Sequence, residues 1–147
     1  MWFYVIKYIA NKSYCYKQQQ ISETIDWLYG NVNRICDECH FKPIYNIYLT
    51  NNITHVEKTE NFKGDINGGF KGDIYISIWN DKLNRTFHKN TLIYAVLHEI
   101  AHLLSPSEGH QEPFDNIENI LLNKAIELDI WDPNIIIESN YKTMEHL

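Results

Sequence analysis

Apolar side chains recur along this chain at two different spacings, and the places where the spacing changes divide it into elements. Trp2-Phe3-Tyr4-Val5-Ile6-Lys7-Tyr8-Ile9 is aromatic and β-branched nearly throughout, the make-up of a strand with a buried face. After the polar Asn11–Ser13, the positions Ile21, Ile25, Leu28, Tyr29, Val32 and Ile35 follow the helical period. They predict an amphipathic helix over 17–36, lying across a sheet and running through Gly30. Tyr45–Thr50 reads as a strand preceded by Pro43 and closed by Asn51-Asn52, and Ile53–Glu60 as a further short one. A glycine-dense loop, Gly64–Gly72, then feeds Asp73–Trp79, in which Ile74, Ile76 and Ile78 alternate with Tyr75, Ser77 and Trp79, the period of a strand.

The helical period returns in Leu92, Ala95, Val96, Ile100, Leu103 and Leu104. Asn90 or Thr91 is available as the cap, and Pro106 with Gly109 ends the run. Phe114, Ile117, Leu121, Ala125 and Leu128 predict a last helix from Gln111 to Ile130, stopped by Asp132-Pro133. Asn134–Leu147 holds neither period and reads as a frayed tail. The expected class is α+β: a small mixed sheet packed against an amphipathic helix, followed by two more helices.

Length fits a single domain over residues 1–147, large enough to bury about two-thirds of its unfolded surface. The net charge is −6 and Arg34 and Arg85 are the two arginines. Affinity for a phosphate backbone comes from clustered Lys and Arg, so autonomous nucleic-acid binding is not expected. Met1–Ala10 is interrupted by Lys7, lacks a basic start and lacks a small-residue cleavage site, which is a poor signal peptide. No run approaches the roughly 18 apolar residues of a membrane span. The expectation is a soluble, cytoplasmic or otherwise intracellular protein that is not secreted. Its three cysteines fit a reducing compartment better than a disulfide scaffold.

The chemistry concentrates in His98-Glu99-Ile100-Ala101-His102. Residues four apart on a helix are turned by only about 40° and stand about one turn apart, so both imidazoles can address one point. Glu99 overhangs the same edge without being a ligand. This is the H-E-x-x-H arrangement in which two neutral imidazoles hold Zn²⁺ and a carboxylate takes a proton from the water that the ion activates. His110 follows the helix break and completes a three-imidazole set, leaving a fourth position for water. Tyr94, one turn before His98, and Tyr141 are candidates to stabilise an oxyanion, and Glu108, Glu112 and Asp115 are candidates to orient the imidazoles.

The stretch HEIAHLLSPSEGHQEPF resembles the WLM and SprT-like group of minimal zincins, whose pattern is HExxH, a short loop, then G-H-x-x-x-F. It is most similar to the small WLM-like zinc metallopeptidases predicted in large DNA viruses. The resemblance is specific over residues 91–131. It implies a minimal zincin-like fold with His98, His102 and His110 as zinc ligands, Glu99 as general base, and a trailing helix over Leu121–Ile130. It also implies a zinc metallopeptidase acting on an extended peptide or protein, with the strand before the active-site helix, Ile74–Trp79, or its adjoining loop as the substrate-side wall. The chain departs from many relatives at Asp115, where they carry an aromatic. The metzincin pattern fits less well, since its third histidine comes two residues earlier, and Glu118 sits nearer than a gluzincin places its glutamate ligand.

Two other functional classes stay open at this point. One is a non-catalytic, zinc-stabilised protein-binding module. The other is a DNA-associated repair protease working through a partner, because some proteins of the WLM and SprT-like group act on DNA–protein crosslinks. Cys36-Asp37-Glu38-Cys39-His40 spells the C-x-x-C-H of c-type haem attachment. It directly follows a predicted helix with no export signal upstream, so two partly buried thiols at a helix end are expected instead. His55, His88 and His146 have no spaced partner and read as ordinary polar residues.

Overall fold

The computed structural model describes residues 12–49, 55–58, 69–106, 110–138 and 141. Helix α1 is Lys12–Glu38, strands β1 to β5 are Lys42–Leu49, His55–Lys58, Gly69–Ile76, Trp79–Asn80 and Arg85–Thr86, and helices α2 and α3 are Lys89–Leu104 and Glu112–Glu127. The class is α+β, as the alternating periods predict. The strand expected at Trp2–Ile9 lies outside the described residues.

Sheet order is β1-β3-β2, with β1 parallel and β2 antiparallel to β3. The register sets Ile47 against Ile74 and Leu49 against Ile76, so Ile47, Ile74 and Ile76 share the buried face. On the other face Tyr48 stacks on Tyr75 with centroids 5.3 Å apart. Of the substrate-side wall expected at Ile74–Trp79 or its adjoining loop, the strand alternative needs correction, because β3 is the middle strand of the described sheet and is paired on both edges; loop residues 64–68 lie outside the described residues. The alternation itself also runs past the strand end. Main-chain pairing with β1 and β2 stops at Ile76, and Trp79–Asn80 instead pairs with Arg85–Thr86 in a separate ribbon. Asn80 closes that ribbon by accepting from Lys82 N and Leu83 N at 3.1 and 3.3 Å, and Asn84 takes the left-handed position at φ 53°.

Helix α1 buries Leu28, Val32 and Ile35, the stripe read from its period. It is tied to β1 by two tyrosines: Ile47 N donates to the Tyr29 hydroxyl at 2.6 Å and the Tyr45 hydroxyl donates to Asn33 Oδ1 at 2.9 Å. The helix ends where the C-x-x-C-H sequence falls. His40 sits at φ 60°, His40 N donates to Asp37 O and Phe41 N to Cys36 O, which is the paired closure of a Schellman cap. The α3 end repeats it with Asp129 at φ 59° and Ile130 N donating to Ala125 O. Asp132-Pro133 therefore comes after the stop and does not cause it.

Helix α2 is buried on nearly every side, as befits a sequence with few polar residues. Its cap is His88, whose Nδ1 accepts from Asn90 N at 3.0 Å, so the expected caps Asn90 and Thr91 have other partners. Ser105, before Pro106, turns extended at ψ 132° and ends the helix. Residues 132–138 are no frayed tail: they form a strap over the start of α2. Asn90, 5% exposed, donates to the carbonyls of Asp132 and Ile135 and accepts from Asp132 N at 2.8 Å. Glu138 accepts from His88 N and pairs with Arg85, both at 2.8 Å, while its own N–H donates to Thr91 Oγ1. Asn90→Ala removes three bonds from a buried site and is expected to lower the unfolding free energy by about 1–3 kcal/mol, measured by urea denaturation. A change below a few tenths of a kcal/mol would mean the strap is held by its other contacts.

Candidate metal centre

Helix α2 carries His98 and His102 one turn apart, and His110, just before α3, lies beside them. The three rings meet: His98 and His102 centroids are 4.9 Å apart, as are His98 and His110, and His102 and His110. One ligand nitrogen from each lies within 4.8 Å of the others, so the three are close enough to hold a metal ion. His102 Nε2 and His110 Nε2 stand 3.1 Å apart. Two imidazoles bound tetrahedrally at about 2.0–2.1 Å would place their nitrogens about 3.3–3.4 Å apart, so this donor set fits a small divalent ion. Burial is graded, with His98 buried, His102 half-buried and His110 exposed. One side of the centre therefore faces solvent.

Phe114, 1% exposed, forms the floor. Its ring stacks on His102 at 4.3 Å and His110 at 4.6 Å and meets His98 edge-on at 5.0 Å. One side chain from α3 thus limits the rotation of all three imidazoles. The rings continue beyond His98: Tyr94 lies 6.1 Å from it at 29° and Trp131 lies 5.9 Å from Tyr94 at 27°. Trp131 opens the strap tied to Asn90, so the tail contributes to the wall beside the centre.

Glu99 is 2% exposed within α2. The orienting candidates fare differently. Glu112 and Asp115 are exposed on α3, Glu108 lies outside the described residues, and the carboxylate at the imidazoles is that of Glu118, whose Oε2 lies 2.5 Å from His98 Nδ1. Glu118 was legible in principle, since it falls in the stripe Phe114, Leu121, Ala125, where a carboxylate is an anomaly. Of the two tyrosines, Tyr94 is at the centre, whereas Tyr141 packs edge-on to Phe87 at 4.8 Å, before α2 begins at Lys89, itself about 13 Å along the axis from His98 at 1.5 Å per residue. His146 lies outside the described residues.

The two cysteines at the end of α1 stand apart from this chemistry. Cys36 is buried, and burial above all, then Cys39 and Asp37, pushes its thiol up to about 12, which makes it an inert group at neutral pH. Burial also raises Cys39, whose Sγ reaches Ile120 O at 4.0 Å. Both are free thiols at a helix end, as expected.

No family model matches the chain, and no solved structure matches it. It is similar to three viral proteins. Over 100 residues it is 33% identical to Uncharacterized protein 042R of Invertebrate iridescent virus 3, covering 68% of this chain and 60% of that protein. Over 52 residues it is 40% identical to Uncharacterized protein 136R of Invertebrate iridescent virus 6, covering 35% and 29%. It is 27% identical to Uncharacterized protein R325 of Acanthamoeba polyphaga mimivirus across 87% of this chain and 73% of that one. The chain thus spans less than two-thirds of the length of the two iridescent-virus proteins. Among the described residues no helix is long and apolar enough to cross a membrane.

Proposed function

We propose that this chain is a zinc-dependent metallopeptidase of the minimal zincin type, hydrolysing an extended peptide or protein. The observation that carries the reading is the approach of three imidazoles, two from α2 and one just before α3, each with a nitrogen within 4.8 Å of the others, with His102 and His110 near tetrahedral spacing and one solvent-facing side. His98, His102 and His110 would hold the ion. When bound, a divalent ion there lowers the pKa of a water toward about 7 and polarises a carbonyl. Glu99 is the group assigned to take that water's proton and return it to the leaving amine nitrogen. Strand β2 packs with β3 against α2 and is an outer strand of the described sheet, so an extended substrate would add there by main-chain pairing. The viral origin of the relatives supports placing the enzyme in a virus-infected cell or a virion.

The test is metal content together with proteolysis. The purified chain should carry about one zinc and cleave a panel of denatured proteins, losing activity to a chelator and regaining it with zinc. Bound zinc with no cleavage of any panel member would make the chain a zinc-stabilised binding module instead. Failure to retain zinc would remove the metal reading altogether.

A further inference from the structure

We infer that Glu118 is the positioning residue of this metal centre, fixing both the tautomer and the ring plane of His98. The inference rests on the metal-centre reading and adds a residue to it that the HExxH pattern does not contain.

An ionised carboxylate only accepts hydrogen bonds, so at 2.5 Å from Oε2 the proton between the two groups sits on His98 Nδ1. A neutral imidazole has one N–H. Placing it on Nδ1 leaves the lone pair on Nε2, the nitrogen that His102 and His110 also present to one another. Without a partner at Nδ1 the proton exchanges between the two nitrogens, and the tautomer with Nε2 protonated cannot ligate.

The placement of Glu118 follows from α3 rather than from a surface ion pair. Phe114, Glu118, Leu121 and Ala125 share one helical stripe, and Phe114, Leu121 and Ala125 are buried. Glu118 is held among them, its side chain 18% exposed against 10% for His98. The register of this stripe is set by Phe114 beneath the three rings and by Leu121 and Ala125 in the core. One turn after Phe114 meets the ring of His98 at 5.0 Å, Glu118 meets its Nδ1. A flexible surface glutamate would spend little of its time in that position. Glu118 falls outside the group able to hold an ion among the described residues, which is the three histidines, and its carboxylate is engaged at His98 Nδ1.

Glu118→Ala and Glu118→Gln test this through two readouts. The first is zinc affinity by competition with a chelator. Ala should weaken binding 10–100-fold, the range seen when such orienting partners are removed, and Gln should fall between Ala and the parent because its amide oxygen still accepts from Nδ1. The second is the ring nitrogen signals of His98 in the zinc-free chain at alkaline pH. The parent should show a single Nδ1–H tautomer and Glu118→Ala a mixture. Affinity within twofold of the parent in both variants, or an unchanged tautomer in Ala, overturns the proposal. A parent that shows the fixed tautomer, lost in Glu118→Ala, yet binds no zinc would uphold the positioning of His98 and sink the metal reading instead.

Discussion

Glu99→Gln should retain zinc at parent affinity and melt within a few degrees of the parent, yet lose hydrolysis by about 10²–10⁴-fold in kcat. The amide is isosteric with the carboxylate, and at 2% exposure a neutral group is easier to bury than a charge. What disappears is basicity: Gln can neither take the water's proton nor hand it to the leaving amine. Because the imidazoles are untouched, zinc content separates this outcome from a general loss of the centre. A Glu99→Gln variant that cleaved as fast as the parent would remove Glu99 as the base. A variant that lost zinc as well would show that Glu99 supports the centre structurally. The measurement is single-substrate kinetics beside metal analysis on the same preparations.

The elements that could be read from residue order are those whose evidence is local. The helical stripe Leu28, Val32, Ile35 and the pair His98 and His102 depend on spacing within one helix, and α1 and α2 bear them out. His110 needed only a break of the right length after Leu104. What could not be read depends on how separate elements are set against one another. The strict alternation of Ile74, Ile76 and Ile78 reports which side chains are buried and is silent on which strand is central, so the wall was placed on β3. Glu118 and Phe114 act through the rotation of α3 about its own axis against α2, a quantity no single-helix pattern contains. The strap escaped because its order comes from polar bonds: Asn90 to Asp132 and Ile135, and Glu138 to His88, Arg85 and Thr91. Hydrophobic period cannot register such contacts. His40 and Asp129, each left-handed at a helix end, likewise take a position that glycine usually marks, which hid both stops.

Phe114→Ala is the substitution expected to cost the most stability. The ring is 1% exposed and belongs to the core cluster with Leu121 and Ala125. Removing a buried phenylalanine side chain costs about 3–5 kcal/mol through lost transfer energy and the cavity left behind, a large part of the roughly 5–15 kcal/mol by which a domain is stable. Here the loss is compounded at the metal centre. His102 and His110 would each lose the surface against which they stack and His98 its edge contact, so ordering three imidazoles on an ion would have to restrain rotamers that the parent already restrains. Zinc affinity should therefore fall by at least about tenfold on top of the stability loss. Phe114→Leu separates the two effects, since it refills most of the volume, at a cost nearer 1–2 kcal/mol, but offers no flat face to the rings. Urea unfolding of the zinc-free chains gives the first quantity and chelator competition the second. Should Phe114→Leu bind zinc as tightly as the parent, the floor under the histidines would be a matter of core packing alone.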